Sequence, residues 1–296
     1  MSDEAEAAGP AVIQSLIWPE AGVCTERDLY VRLDGPAGLD LGPGRATAVV
    51  FSEGGKVGFD TWFNFFSLGK WRQHCGLEHL ALRLTGEGRV AVSVMLALED
   101  RSWERVENRV VELGETPVIE LGHLGAEVSG GAGVFLELTA LGAGRIEAAD
   151  WLTRDAPRRE PDLMISVTTF KREAAVARTA ARFADHMETS ALQGRIRMLV
   201  VDNGQSAEIA PSPHVTVIPN ANLGGAGGFS RGLIAARETG ATHCLFMDDD
   251  ASTHMQSLDR TCIFLAHALD PATAVAGAMI TATHRSSIWE HGARFR

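Results

Sequence analysis

Asp248, Asp249 and Asp250 end a run that reads His243-Cys-Leu-Phe-Met-Asp-Asp-Asp. Three carboxylates at the mouth of an apolar, strand-like segment repel one another, and a hard divalent cation would neutralise them. The chemistry this suggests is a metal held against a phosphate. Upstream, Thr168-Thr-Phe-Lys-Arg172 and Asp202-Asn-Gly each follow another apolar run. Between them and the Asp triplet lies Asn220-Ala-Asn-Leu-Gly-Gly-Ala-Gly-Gly-Phe-Ser-Arg231, with glycines at 224, 225, 227 and 228. Glycine there permits positive φ and close backbone approach, and a following helix would aim free N–H groups and its positive dipole end at an anion. The spacing is not that of a dinucleotide loop, because counting from Gly225 it gives Gly-x-Gly-x-x-Ser at Ser230, and no Walker lysine follows. The segment fits a diphosphate or a sugar.

Each feature also has a structural reading. An Asp triplet can cap a helix or stand solvated, a glycine-rich turn can be only a turn, Arg172 and Arg231 can be surface charges, and Asp202-Asn-Gly is an ordinary turn sequence. What favours function is their common position at strand ends.

The elements needed to position them follow from periodicity. Leu163–Thr168, Ile196–Val201, Val215–Ile218 and Thr242–Met247 read as strands. Glu173–Thr189 has apolar residues at Val176, Ala177, Ala180, Phe183, Ala184 and Met187, the spacing of an amphipathic helix. Phe229–Glu238 and Met255–Leu269 read as further helices. This alternation predicts a doubly wound, Rossmann-like α/β sheet, whose ligands bind at the carboxyl ends of its strands. Val12 to Glu147 reads differently, as many short strands divided by Gly, Pro and Asp clusters. Arg89–Leu98 alternates Val90, Val92, Val94, Leu96 and Leu98 inward. Further strands are expected over Val12–Trp18, Leu29–Leu33, Ala46–Phe51, Leu80–Leu84, Thr116–Leu121 and Gly133–Leu138, which together suggest a β-sandwich or jelly roll. The charged, proline-punctuated stretch near Arg154–Asp162 reads as a linker. The expected domains are therefore 1–152, all-β, and 153–296, α/β.

At 296 residues and 45% apolar composition the chain can bury two cores. A net charge of −11 argues against broad attraction to nucleic acid. Cys24, Cys75, Cys244 and Cys262 form no CxxC pair, so neither zinc nor a disulfide framework is expected and the cytoplasm is the simplest compartment. No apolar run reaches the length of a membrane span, and the acidic start lacks the form of a signal peptide. Peripheral contact at the inner face of the plasma membrane stays open, as does a homo-oligomer. Trp62, Phe63, Phe65, Phe66 and Trp71 are dense enough to suggest a sugar or lipid contact, although core packing is the commoner fate of such a cluster.

The motifs Thr168-Thr-Phe-Lys-Arg, Val201-Asp-Asn-Gly, Asn222-Leu-Gly-Gly-Ala-Gly-Gly-Phe-Ser-Arg-Gly and Phe246-Met-Asp-Asp-Asp, in this order, resemble the nucleotide-sugar half of family 2 glycosyltransferases with a GT-A fold. They are most similar to bacterial galactofuranosyltransferases that extend a cell-wall galactan from UDP-galactofuranose. Those enzymes carry a β-sandwich before the catalytic domain, and Trp62-Phe-Asn-Phe-Phe-Ser-Leu-Gly-Lys-Trp71 resembles part of it.

The resemblance implies an inverting, metal-dependent hexosyl transfer from a UDP-sugar to a glycan or glycolipid acceptor, with other hexoses as alternatives to galactofuranose. Asp248 and Asp250 would serve Mn²⁺ or Mg²⁺, and Asp249 would face the donor sugar. Asp202 and Asn203 would contact uracil or ribose. Thr168, Thr169 and Arg172 would line the nucleotide cleft, and Asn222, Gly224, Gly225, Gly227, Gly228 and Arg231 would border the diphosphate and sugar. Ser286-Ser-Ile-Trp-Glu-His resembles the start of the acceptor region, with Trp289, Glu290 and His291 as candidates and a packed Trp as the equal alternative.

The family's catalytic base and a further metal-binding histidine would fall past Arg296, so truncation is expected, and Glu290 is the one weak candidate for base. The alternative is a carbohydrate or nucleotide-sugar binding module without efficient turnover. A haloacid-type phosphatase also places Asp-x-Asp after a strand, but the glycine segment has no place in its chemistry.

Overall fold

The computed structural model describes residues 9–42, 47–122, 124, 128, 130–281, 283–284 and 287–290. Chain contacts divide it into two units, 1–156 together with 267–296, and 157–266. Relative to the expected division at 152/153, the boundary lies slightly later, and the segment from His267 onward groups with the first unit. Leu269 N–H donates to the His74 carbonyl (2.7 Å), and the rings of Trp71 and His267 meet edge-on at 5.7 Å. Helical periodicity up to Leu269 could not reveal that the last turn belongs elsewhere.

The body of the first unit is built from two large antiparallel sheets. One carries β1 (Ala11–Ser15), β3 (Ala37–Asp40), β4 (Ala48–Phe51), β6 (Ala81–Glu87), β9 (Val118–Glu120) and β11 (Gly144–Thr153), in the order β3-β4-β11-β6-β9 with β1 also paired to β11. The other runs β2-β5-β10-β7-β8, from β2 (Arg32–Asp34), β5 (Lys56–Gly58), β10 (Gly133–Ala140), β7 (Arg89–Ala97) and β8 (Glu104–Glu112). The alternation expected in β7 is present: Val90, Val92 and Val94 are fully buried and the residues between them are not.

Among the strands the sequence reading did not include, β8 and β11 show why. In β8, Glu-Arg-Val-Glu-Asn-Arg-Val-Val-Glu lies at a sheet edge and is exposed along most of its length, so neither face had to be apolar. In β11, paired on both sides and buried from Ala149 to Thr153, there was no polar face to create alternation.

The aromatic segment mostly went to the core. Phe66 is fully buried and packs with Trp71 (6.0 Å) and Trp151 (5.4 Å), while Trp62 stays 49% exposed. Trp71 lies on α1 (Leu68–Cys75), a helix that the strand-like reading of this half did not include. Asn64 sits among these aromatics, 1% exposed. Its Oδ1 accepts from Ile17 N–H (2.7 Å), and its Nδ2 donates to the carbonyls of Ile17 (2.9 Å) and Tyr30 (2.8 Å). Asn64→Ala would strand these buried groups without water, so we expect a loss of roughly 2–4 kcal/mol in urea unfolding. A change within error would show that the tie contributes nothing.

The second unit is a parallel sheet with helices on both faces. β12 (Leu163–Thr169), β13 (Ile196–Asp202), β14 (Val215–Pro219) and β15 (His243–Asp248) lie in the order β14-β13-β12-β15. α2 (Glu173–Met187) and α4 (Met255–His267) supply Val176, Phe183, Met187, Leu258 and Cys262 to a core on Ile165, Val167, Met198 and Val200. α3 (Gly224–Glu238) covers the other face through Ala235 and Ala236, against Met164, Leu199 and Val201. Among the described residues no helix is long and apolar enough to cross a membrane.

Candidate functional site

The order β14-β13-β12-β15 reverses direction between β12 and β15: the chain steps outward from β12 through β13 to β14, then returns to the opposite side of β12. Such a reversal leaves a crevice at the carboxyl ends of the two strands, because their connections leave in opposite directions. Thr168 pairs with Asp248 across β12 and β15, and Thr169 pairs with Asp202 across β12 and β13. The motifs from Thr168, Asp202 and Asp248 therefore stand side by side, one strand spacing apart.

A cleft of about 480 Å³ opens there. Of the residues expected at a donor or metal site, Thr168, Thr169, Arg172, Asn203, Asn222, Gly224, Gly225 and Asp248 to Asp250 line it. Phe170 and Phe229 also line it, although the sequence reading assigned them nothing. Both lie inside the quoted motifs, and their signal was an aromatic ring placed directly at a strand end and in the first turns of a glycine-rich helix.

The three aspartates have different surroundings. Asp249 is buried and accepts from Thr169 Oγ1 at 2.8 Å, across eighty positions of sequence. Asp248 and Asp250 are exposed. Arg172 donates to Asp250 Oδ2 and lies 3.5 Å from Asp249 Oδ1. The hydrogen bond it donates to Asp250, with the charges of Asp250 and Asp249, raises the pKa of the Arg172 guanidinium above its ordinary value. Lys171, between strand and helix, takes a left-handed φ of 55°, a conformation uncommon for a side-chain-bearing residue, which turns the chain so that Arg172 follows toward the carboxylates. The hydroxyl of Thr168 is buried at the cleft with no hydrogen-bond partner.

The glycine run is the first turn of α3, not the loop expected before a helix at Phe229. Gly224, at φ 74°, makes the left-handed entry; its N–H donates to Asn222 Oδ1 (3.2 Å), and Leu223 at the N-cap offers no side-chain acceptor. First-turn N–H groups have no partner within a helix, and Gly225 of this turn lines the crevice. The other glycines serve packing. A Cβ on Gly228 would lie 2.2 Å from Thr168 Cγ2, and one on Gly227 would lie 2.4 Å from Leu223 Cβ. Asn203 donates to the Gly224 carbonyl (3.3 Å) and accepts from Asn220 Nδ2 (2.8 Å), which ties the ends of β13 and β14 to the helix entry.

Asp202, Gly227, Gly228 and Arg231 do not line the cleft. Asp202 is buried, each carboxylate oxygen accepting one backbone N–H, from Gly204 (2.9 Å) and Ala207 (2.8 Å). Arg231 is 3.7 Å from Glu238. Trp289 is 72% exposed on the hairpin of β16 (Met279–Ile280) and β17 (Ile288–Glu290), which groups with the first unit. His291 and the Glu290 side chain lie outside what the structure describes.

Among the described residues no three His, Cys, Asp or Glu side chains are grouped to hold a metal by themselves. The donors present still suit a hard cation. Asp248 and Asp250 offer carboxylate oxygens only, and Mg²⁺-type ions commonly take one or two carboxylates and complete their shell with substrate phosphate and water. Arg172 already places a positive charge on Asp250.

Residues 13–154 match the family model described as galactofuranosyltransferase 2 N-terminal. No curated protein matches the chain. Among solved structures, the CsCBM6-3 module from Clostridium stercorarium in complex with cellobiose aligns at 12% identity over 42% of this chain and 87% of that one, with a TM-score of 0.26. An active-site mutant of a family two carbohydrate esterase from Clostridium thermocellum aligns at 10% identity over 80% of this chain and 95% of that one, with a TM-score of 0.23. The family match, which spans nearly all of the first unit's sandwich, relates the chain to galactofuranosyltransferases.

Proposed function

We propose that the second unit is a GT-A domain that binds a UDP-sugar, UDP-galactofuranose first among the hexose donors, and that the chain serves inverting transfer to a glycan or glycolipid acceptor. One observation carries the reading: the Asp triplet, set beside Thr168 by strand register, and the start of α3 at Gly224 and Gly225 line one cleft at a strand-order reversal. That crevice offers carboxylates for a cation and N–H groups for a diphosphate, and a metal-bound nucleotide-sugar meets both demands. The N-terminal family match supports the choice of sugar.

Asp248 and Asp250 would hold Mn²⁺ or Mg²⁺, which when bound supplies charge stabilisation to the departing diphosphate. Asp249, fixed by Thr169, would face the donor sugar. Arg172 would leave Asp250 for phosphate oxygens, a stronger partner for its planar fork. The unpaired Thr168 hydroxyl would gain a partner in bound ligand. Phe170 and Phe229 offer apolar faces for the nucleoside.

Isothermal titration with UDP in the presence and absence of Mn²⁺ tests this directly, and affinity independent of metal would refute it. The second reading, a binding module without efficient turnover, is favoured by the cleft itself, whose only lining carboxylates among the described residues are the three aspartates. An assay of UDP release with a galactan oligosaccharide separates the two readings, since binding without release supports the module.

Arg172 gives a further test. In the ligand-free protein it competes with a cation for Asp250, so Arg172→Met should tighten Mn²⁺ binding several-fold without UDP and weaken binding of the Mn²⁺–UDP pair. Electron paramagnetic resonance of free Mn²⁺ measures both. Weaker metal binding in both conditions would contradict the competition.

A further inference from the structure

The outward face of the β2-β5-β10-β7-β8 sheet carries a line of polar groups joined by strand register. Arg32 pairs with Gly58, Gly58 with Glu137, Glu137 with Ser93, and Ser93 with Asn108, so one row crosses all five strands. At about 4.8 Å per strand the row is roughly 19 Å long.

Its groups are preorganised. The Arg32 guanidinium donates to Asp60 Oδ1 through both Nη2 (2.9 Å) and Nε (3.1 Å), and to Glu137 Oε1 at 3.2 Å. It lies close over Gly58, where a Cβ would come within 3.0 Å of Nη2. Ser93 Oγ approaches Asn108 Oδ1 at 3.4 Å.

Two residues before Glu137, on the same outward face of β10, Phe135 is only 1% exposed. Phe65 stacks against it at 6.2 Å and Trp103 meets it edge-on at 5.0 Å, and Trp103 itself remains 53% exposed. An indole is thus held by its edge contact and left open at the side of a fixed polar row.

We infer that this face is a binding platform for a neutral oligosaccharide, with Trp103 stacking on a sugar ring and the Arg32–Asp60–Glu137 group and Asn108 taking hydroxyls. The chemistry selects the occupant. The two carboxylates beside Arg32 disfavour a polyanion such as nucleic acid or an anionic lipid surface. A row of paired polar groups gives an apolar protein partner too little to bury. A polyhydroxyl chain presents both C–H faces for an aromatic ring and hydroxyls that donate and accept, which is what the row and the indole complement. The inference rests on the reading of the chain as one that handles glycans, but not on the cleft of the second unit.

The test is titration calorimetry of the full chain with a galactofuranosyl hexasaccharide and, separately, with UDP and Mn²⁺. Trp103→Ala and Arg32→Met should each weaken hexasaccharide binding about tenfold and leave the UDP titration unchanged. Because Trp103→Ala uncovers Phe135, circular dichroism checks its fold, and Asn108→Ala at the exposed edge strand provides a variant that removes no cover. Hexasaccharide affinity equal to wild type in Arg32→Met and Asn108→Ala, or no binding by the wild-type chain, overturns the platform. A wild-type chain that binds the hexasaccharide but gives no Mn²⁺-dependent UDP binding would instead overturn the donor-site reading and leave the platform standing.

Discussion

Asp250→Ala is expected to abolish the Mn²⁺-dependent part of UDP binding while leaving the protein folded. The Asp250 side chain is 60% exposed and its ion pair is with Arg172, itself half-exposed, so its removal costs little stability. Its loss would take one of the two carboxylates that the strand end offers to the cation. Loss of an outer-shell group around a metal already costs ~10–100-fold in affinity, and loss of a direct ligand should exceed that. A weak metal-independent affinity should persist, because Arg172, released from Asp250, remains available to phosphate.

Asp249→Ala provides the contrast. Asp249 is buried and bonded to Thr169, so its removal leaves a buried hydroxyl without its acceptor and should lower stability by about 1–3 kcal/mol. Calorimetry and thermal unfolding of the two variants together separate ligand from scaffold. Full Mn²⁺ dependence in Asp250→Ala would remove the triplet from the site.

Gly232→Ala should be the most damaging single methyl in the second unit. An added Cβ would sit 1.8 Å from Ser166 Oγ and 2.8 Å from Ser166 Cβ, and Ser166 is fully buried on β12. A rotamer change in Ser166 cannot remove the second contact, so α3 must lift from the sheet. Overpacking of this kind costs typically ~1–3 kcal/mol, and here the upper end or beyond is expected. For a unit of this size each kcal/mol lowers the midpoint by about 4–8 °C. Since the same helix begins at the cleft, UDP affinity should fall as well. Ser166→Gly in the same chain should recover most of the loss, because the two residues share one contact and their effects should not add. An unshifted midpoint in Gly232→Ala, or no recovery in the double variant, would mean that α3 and β12 are not packed this closely.

These two variants also mark what could and could not be read in advance. Asp250 was legible because three carboxylates together are costly wherever they fold, and cost of that kind is visible without coordinates. Gly232 was not, because a glycine in a helix carries no local mark of what lies opposite. Gly228 resembled a phosphate-loop glycine and proved to be a packing residue against Thr168. Phe170 and Phe229 were likewise inside recognised motifs without a role, since a ring at a strand end can face a core or a cleft with equal local sequence. The exposed edge strand β8 and the doubly paired β11 were missed for opposite reasons, one having no buried face and the other no exposed one.

By itself the sequence determined the periods, the turns and the order of elements, which are local consequences of side-chain size, charge and backbone freedom. It therefore placed the parallel α/β elements after an all-β half and put the polar motifs at strand ends. Only the tertiary structure decided that β15 lies beside β12 rather than beyond β14, and with it that Thr168 meets Asp248 while Arg172 reaches Asp250. The same holds for the row that joins Arg32 to Asn108 across five strands. Lateral strand order and register depend on which faces bury best across long separations, and no window of neighbouring residues contains that balance.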